Sequence, residues 1–174
     1  MADVSVRPAR PEDAVAVARV QLATWRTAYA GLLPQAVLDS SEEEVAAAWQ
    51  RSVELPPTGA HRLLVGLEGD VVIGFAAYGP AEDGGPTDRE LATLLVEPRW
   101  GRRGHGSRLL AAAVEHWRAE GALLAVAWVW DRDAATRAFL TSAGWATDGG
   151  ARGLDTGEQV QRQVRLHTSL EPGS

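Results

Sequence analysis

Residues 94–110, LLVEPRWGRRGHGSRLL, decide the fold of this chain. The apolar run that ends at Val96 is typical of a buried strand, and the apolar spacing after Ser107 is typical of a helix. Glycines in the intervening segment let the backbone adopt positive φ angles and approach a ligand closely. The stretch therefore predicts a strand, a Gly-rich loop and a helix in succession.

The loop and the start of the helix form a predicted anion site. Backbone N–H groups at a helix N-terminus lack intrahelical acceptors, and the helix dipole favours negative charge there. Guanidinium groups in the same segment add positive charge, and each charge-assisted hydrogen bond would contribute about 1.5–3 kcal/mol. These features favour a phosphate, and above all a pyrophosphate. The predicted contacts are Arg102, Arg103, Gly104, His105, Gly106 and Ser107.

Two other phosphate-binding loops do not fit this segment. The Walker motif G-x-x-x-x-G-K-[ST] requires a lysine, and all 17 basic residues of the chain are arginine. The Rossmann fingerprint requires a third glycine after Gly104 and Gly106, and a suitably placed acidic residue downstream. Neither is present in this chain.

Four segments of the chain resemble motifs of the GNAT superfamily of N-acetyltransferases. Residues 98–110 are similar to its acyl-CoA signature, [QR]-x-x-G-x-[GA], and residues 69–75, GDVVIGF, are similar to its hairpin motif. Residues 128–145, WVWDRDAATRAFLTSAGW, resemble its closing strand and helix. Residues 25–34, WRTAYAGLLP, resemble the substrate-side helix of bacterial members. The resemblance thus extends over nearly the whole chain.

The pattern of elements along the chain predicts the order β-α-α-β-β-β-α-β-α-β-β. This order favours an α+β fold, or an α/β fold in three layers, with helices packed on a mixed, mostly antiparallel sheet. The resemblance implies a twisted sheet of about seven strands flanked by four helices. Residues 1–170 are predicted to form a single domain, and residues 171–174 a tail.

Apolar residues at spacings of three and four predict which helix faces are buried. Ser41 is predicted to cap the second helix and Pro56 to end it. The predicted stripes are Val15, Ala18, Leu22, Trp25 and Tyr29 in the first helix, Val45, Ala48, Trp49 and Ser52 in the second, and Ala135, Ala138, Phe139 and Ser142 in the last.

The resemblance implies that acetyl-CoA is the co-substrate and that an amine attacks its thioester directly. This route forms no acyl-enzyme, in agreement with a chain that has no cysteine. A protonated amine cannot attack, so a base is required. Glu90, at the start of the strand before the loop, matches a glutamate that some family members use as that base. The backbone amides of Leu95 or Val96 are implied to polarise the thioester oxygen.

Three positions depart from the family pattern. Gly101 stands where the signature has Gln or Arg, and Asp133 stands where Asn is frequent. Leu140 stands where many members have a tyrosine, the proposed acid for the departing thiolate, so Tyr78 is the candidate acid in this chain. Arg132 and Arg137 begin the last long helix, where the family holds the pantetheine and adenine end of the cofactor. Of the residues at this helix start, Asp133 and Arg137 are the predicted cofactor contacts.

Aromatic residues are the candidates for the acceptor site. Trp25 and Tyr29 share a helix face, and Trp128 lies on the strand after the central helix. Each could form an aromatic wall for the acceptor, and each could instead pack in the core. The acceptor stays open among amino acids, polyamines, aminoglycosides, peptide N-termini and protein lysines.

The composition excludes several classes of protein. The chain has 174 residues, no cysteine and a formal charge of -6. Disulfides, Cys-ligated zinc and a thiol nucleophile are therefore excluded, and no histidine spacing predicts a metal. The negative charge disfavours non-specific nucleic-acid binding. No apolar run approaches the ~20 residues of a membrane span. The first residues lack a signal-peptide pattern, which predicts a cytoplasmic protein.

The leading hypothesis is a bacterial acetyl-CoA-dependent N-acetyltransferase that acts on a small-molecule or peptide amine. A non-catalytic acyl-CoA-binding or regulatory module is the alternative, because the loop alone does not separate the two. A nucleic-acid binder that uses the Arg-rich residues 99–108 is a third class, and the net charge argues against it. A homodimer is open. The bacterial source is inferred from the absence of Lys and Asn, which is typical of GC-rich DNA.

Overall fold

The structure is a computed structural model that describes residues 3–173. Met1 and Ala2, at the start of the predicted domain, and Ser174, in the predicted tail, lie outside the described residues. The described strands form one seven-stranded sheet of order β1-β2-β3-β4-β5-β7-β6. They are β1 (Val4–Pro8), β2 (Arg62–Glu68), β3 (Val71–Pro80), β4 (Asp88–Val96), β5 (Leu124–Trp130), β6 (Ala146–Asp155) and β7 (Val160–Ser169).

Five α-helices lie between these strands in the described part of the chain, and the predicted α+β fold with a mixed, mostly antiparallel sheet is confirmed. The four long helices are the four that the sequence predicts. The one-turn helix α2 is absent from the predicted order, because a helix with a single buried side chain, Leu38, has no periodic pattern. The helices are α1 (Ala14–Ala28), α2 (Gln35–Leu38), α3 (Glu42–Glu54), α4 (His105–Ala119) and α5 (Ala134–Ser142).

The chain divides into two compact units, of which the first comprises Met1–Tyr78 and Thr93–Ala113. In this unit β1, β2 and β3 pair antiparallel, and the tight turn between β2 and β3 is the hairpin that the sequence predicts. The ring of Trp49 meets the ring of Phe75 edge-on, with centroids 5.2 Å apart. The core cluster consists of Val17, Val20, Leu63, Val65, Leu67, Val72, Phe75 and Leu95.

Helices α1 and α3 bury faces that differ in part from the predicted stripes. Val15 is 59% exposed, because Ala14 takes the inward position one turn before Ala18. In α3 the predicted Ala48 and Ser52 are exposed, and the inward side chains are Ala46, Trp49 and Val53. The Ser41 cap is present: its side chain accepts a hydrogen bond from the Glu44 N–H.

The second unit comprises Gly79–Ala92 and Val114–Ser174. Here the first residues of β4 pair parallel with β5, and β7 pairs antiparallel with β5 on one side and β6 on the other. Trp117 and Trp145 pack with ring centroids 6.5 Å apart. Strand β7 ends at Ser169, and the next residue, Leu170, is buried and donates its N–H to the Leu123 carbonyl.

Helix α5 packs on a different face from the predicted one. Ala135, Ala138 and Ser142 are exposed, whereas Leu140 is buried. Alanine tolerates solvent, so a large aliphatic side chain determines which face of a short helix turns inward. Of the predicted stripe, Phe139 alone is half-buried.

Candidate active site

The loop between β4 and α4 has an unusual backbone. It begins at Glu97, whose N–H donates to the Ile73 carbonyl at 2.8 Å. The chain then makes a 3-10 turn over Pro98–Trp100 and adopts positive φ twice, at Arg102 (60°) and at Gly104 (80°). Positive φ is uncommon for a residue with a side chain, and such residues concentrate at functional sites. The loop thus carries backbone strain at the position of a predicted ligand contact.

The N-terminus of α4 presents free hydrogen-bond donors. The first helical bond of this 15-residue helix runs from the Arg108 N–H to the Gly104 carbonyl at 3.1 Å. The N–H groups of His105, Gly106 and Ser107 donate to no acceptor among residues 3–173. Three unpaired N–H groups at the positive end of a helix dipole form an anion-binding arrangement.

The three arginines of the loop, Arg99, Arg102 and Arg103, differ in their interaction partners. Arg99 donates to Glu97 at 2.7 Å, and Arg103 lies 4.0 Å from Glu68 and 5.2 Å from the Trp100 ring centroid. The exposed side chain of Arg102 forms no ion pair within the described residues. Arg102 therefore keeps its full charge available for an anion at the helix N-terminus.

The His105 side chain turns inward. It is 5% exposed, and its Nε2 lies 3.1 Å from Oε2 of Glu68, the last residue of β2. Sequence reasoning missed this pair, because nothing local connects two residues that are 37 positions apart. The backbone N–H of His105, in contrast, is one of the free donors, so this residue offers an anion its main chain.

Glu90 lies in the second unit, half-buried on β4. Burial raises the pKa of its carboxyl; the positive charge of Arg152 opposes this, and the negative charges of Glu82 and Asp83 add to it. The side chain lines a cavity of about 70 Å³. The other lining residues are Ala81, Asp83, Gly84, Asp88, Leu124, Val126, Trp128, Asp148 and Arg165.

Trp128, in the wall of this cavity, is covered by guanidinium groups. Arg152 lies 4.3 Å and Arg165 lies 5.7 Å from its ring centroid. Arg165 stands directly opposite Trp128 in the β5–β7 ladder and donates to Asp148 at 2.7 Å. Burial works against ionisation of Asp148, but the Gly150 N–H and Arg165 lower its pKa. The indole ring therefore lies near two positively charged side chains, Arg152 and Arg165, one of which pairs with the negatively charged Asp148.

The residues predicted at the start of α5 are engaged in local bonds. The Asp133 carboxylate caps the helix, accepting from the Thr136 N–H at 3.0 Å and from the Thr136 hydroxyl at 2.6 Å. Arg137 donates to the carbonyl and the carboxylate of Asp131. These bonds order the helix start, which is the predicted contact for the far end of the cofactor.

The remaining predicted residues lie in or near the core. Leu95 and Tyr78 are buried, and Val96 is half-buried. Trp25 and Tyr29 are half-buried and pack against the core cluster of the first unit. These two rings have one side on the core and part of their surface exposed.

The β4–β5 ladder is short. The register pairs Asp88–Glu90 with Leu124–Val126, and the parallel pairing goes no further. Backbone groups of β4 beyond Glu90 are therefore not committed to β5. Predicted contacts at Leu95 and Val96 fall in this part of the strand.

No three His, Cys, Asp or Glu side chains within residues 3–173 come together in a group that could hold a metal ion. No helix within that range is long and apolar enough to cross a membrane.

Residues 22–145 match the Acetyltransferase (GNAT) family. Since the match covers well over half of the chain, the protein belongs to the GNAT family of acetyltransferases, and the resemblance found in the sequence is confirmed.

Several known proteins are similar to this chain. The uncharacterized N-acetyltransferase YuaI of Bacillus subtilis (strain 168) is 32% identical over 134 residues, which cover 72% of this chain and 71% of YuaI. The mycothiol acetyltransferase of Rhodococcus erythropolis is 42% identical over 60 residues, but these cover 34% of this chain and only 19% of that enzyme. The structure of yncA from Salmonella typhimurium, solved with its cofactor acetyl-CoA, superposes with a TM-score of 0.73 at 19% identity, covering 98% of this chain and 96% of yncA.

Proposed function

We propose that this protein transfers the acetyl group of acetyl-CoA to a primary amine, and that residues 1–170 act as one catalytic domain. Its family supports acetyl transfer, and the similar fold of yncA, solved with acetyl-CoA, supports the donor. The observation that carries the proposal is the set of N–H groups at the start of α4 that have no acceptor among the described residues, next to Arg102, which forms no ion pair there.

The loop fits the pyrophosphate of coenzyme A. The N–H groups of His105, Gly106 and Ser107 would donate to phosphate oxygens, and Arg102 would add a charge-assisted bond. Gly104 lets the main chain turn into α4 at positive φ, and it would place no side chain between the backbone and a bound anion. Arg103, although drawn towards Glu68 and Trp100, keeps more than half of its side chain exposed and would add long-range attraction. When bound, acetyl-CoA supplies the thioester that the amine attacks.

Glu90 would remove the proton from the acceptor amine. A primary amine with an unperturbed pKa of ~10.4 is uncharged in about one molecule in a few thousand at pH 7. Deprotonating it therefore costs roughly 4–5 kcal/mol of free energy at that pH. A base with a raised pKa is better matched to this proton transfer than an exposed carboxylate. Glu90 has that property because it is half-buried near other acids.

Other residues would support the transfer. The main-chain N–H groups of Leu95 or Val96 would donate to the thioester oxygen as it gains charge. Tyr78 would protonate the departing thiolate, since Leu140 is a buried core residue that has no proton to give. A thiol has a pKa of about 8.5, so its thiolate leaves tolerably at neutral pH and this acid is helpful rather than essential.

The acceptor would bind near aromatic side chains. Trp25, Tyr29 and Trp128 are the proposed acceptor contacts, and a small molecule or a peptide with a primary amine is the proposed partner. Asp133 and Arg137 would order the helix start that holds the remainder of coenzyme A.

The test of the proposal is kcat/KM against pH with acetyl-CoA and a panel of amines, measured as release of coenzyme A. Glu90→Gln should lower kcat/KM by roughly 10²-fold at pH 7. The loss should shrink towards pH 9, where more of the amine is already uncharged. Glu82→Gln is the matched control: it removes one nearby negative charge but leaves Glu90 in place.

Two outcomes would contradict the proposal. Wild-type rates for Glu90→Gln at pH 7 would remove Glu90 from the reaction. Binding of coenzyme A without its release from acetyl-CoA in the presence of any amine would point to a non-catalytic module.

A further inference from the structure

Arg152 is held in place from two sides. Its guanidinium lies over Trp128 of β5, 4.3 Å from the ring centroid, and its Nε donates to Gln163 of β7 at 2.8 Å. Arg152 and Gln163 stand directly opposite each other in the β6–β7 ladder. A guanidinium stacked on an indole and bonded at Nε has little rotational freedom left, so its charge has a defined position.

Trp128, the ring that Arg152 covers, forms part of the wall of the Glu90 cavity. The charged groups around Glu90 come from several elements, and most of them are acidic. The β5 residues that line the cavity, Leu124, Val126 and Trp128, are uncharged. The charged or titratable groups are Glu82 and Asp83 in the loop before β4, Asp88 on β4, Asp148 and Arg152 on β6, and Arg165 and His167 on β7.

The two arginines of this set are not equivalent. Arg165 is paired with Asp148, so its charge is largely compensated. Arg152 forms no ion pair within residues 3–173, and Glu90 forms none there either. The contact with Trp128 thus holds the positive charge of Arg152 near the Glu90 carboxylate, while the two side chains form no ion pair.

We propose that Arg152, fixed by Trp128 and Gln163, is a positioning residue that keeps Glu90 ionised and open to accept a proton. Burial and the neighbouring acids favour the protonated form of Glu90, and a protonated carboxyl cannot act as a base. The positive charge of Arg152 lowers the pKa of Glu90, whereas burial raises it. The kinetic part of this inference rests on the proposed function, whereas the effect on Glu90 ionisation does not.

The first experiment measures the pH dependence of kcat/KM for Arg152→Gln. We expect the acidic limb of the profile to move up by about one pH unit, with a large loss at pH 6 and little change at pH 9. Arg152→Lys, which keeps the charge, should restore most of the wild-type profile. Arg162→Gln, which removes an exposed arginine of β7 that pairs with Asp131, is the matched control and should leave the profile unchanged.

The second experiment follows the Glu90 carboxyl directly, by ¹³C NMR titration of the protein without substrates. The resonance is assigned by its disappearance in Glu90→Gln. Arg152→Gln should raise the titration midpoint, and Trp128→Leu, which removes the stack but keeps the arginine, should move it in the same direction. Circular dichroism checks that each variant is folded.

The two readouts separate this inference from the proposed function. An unchanged Glu90 titration in folded Arg152→Gln and Trp128→Leu would overturn the role of Arg152. A shifted titration with an unshifted kcat/KM profile would keep that role, but would show that Glu90 is not the base.

Discussion

Gly104 provides a single-residue test of the anion site. Its φ of 80° is unfavourable for a β-branched residue, so Gly104→Val should distort the turn into α4. Coenzyme A at about 100 times its Kd should stabilise the wild type by about 2.7 kcal/mol, and this gain should vanish in the variant. The measurement is the melting temperature with and without coenzyme A.

Gly121 is the matched control for that substitution. Its φ of 78° is nearly the same, and a Cβ there would meet nothing within 4 Å. Gly121→Val should therefore carry similar backbone strain, of the order of 1–2 kcal/mol, but retain the full effect of coenzyme A. Equal stabilisation of both variants by coenzyme A would count against the loop as its binding site.

The raised pKa of Glu90 predicts how the stability of the protein changes with pH. Its pKa is raised in the folded protein, so folding favours the protonated form. That contribution is fully present below the pKa of the unfolded chain, about 4.3, and is lost as the pH rises through the folded value. Relative to Glu90→Gln, the free energy of unfolding of the wild type should therefore decline from pH 4 to pH 8.

Urea denaturation of both proteins over this pH range measures the difference. Glu82→Gln, at an exposed position, should follow the wild-type curve closely. If the free energies of unfolding of wild type and Glu90→Gln differed by the same amount at all pH values, the raised pKa would be contradicted.

The residues of the candidate site were only partly predictable. The free donors of the loop could be predicted because a helix start and its glycines are local features of the sequence. The buried Glu68–His105 pair and the stack of Arg152 on Trp128 could not, since each joins residues far apart in the chain. Such contacts depend on strand register, which no single segment determines.

At the scale of elements, the Glu68–His105 pair connects the end of β2 to the first residue of α4. Removing one partner leaves a buried polar group unsatisfied, at a cost of about 1–3 kcal/mol. Glu68→Ala should therefore lower the free energy of unfolding by that amount. It should also weaken coenzyme A binding, because the helix N-terminus loses an anchor.

Asp70 offers a control for that prediction from the same turn. It is exposed, and Asp70→Ala should change neither stability nor coenzyme A affinity appreciably. Urea denaturation and titration calorimetry with coenzyme A measure the two effects. If Glu68→Ala matched Asp70→Ala in both, the pair would have no anchoring role.

The order of the long elements was predictable, whereas the buried faces of the helices were less so. Strands β2, β3 and β5 are near-continuous apolar runs bounded by turn residues, which is a strong signal. In α3 and α5 at least half of the apolar residues are alanines, such as Ala48, Ala135 and Ala138. Alanine fits equally well inside and outside, so tertiary packing selects the face.

At the scale of the whole molecule, the composition limits what the protein can do to itself. All of its 17 basic residues are arginine. No side chain of the protein is therefore a primary amine, and an N-acetyltransferase of this composition cannot acetylate its own side-chain amines. Any acetyl group that it transfers to a lysine must go to another molecule.

The outermost strands of the sheet also determine how the protein behaves when it is concentrated. Strand β1 has five residues and ends in a proline. Strand β6 changes register between Thr147 and Ala151, contains a glycine at φ 87°, and carries Asp148, Arg152 and Asp155. A short strand and an irregular, charged one are poor templates for a further strand from another chain. We therefore expect the protein to resist edge-to-edge aggregation.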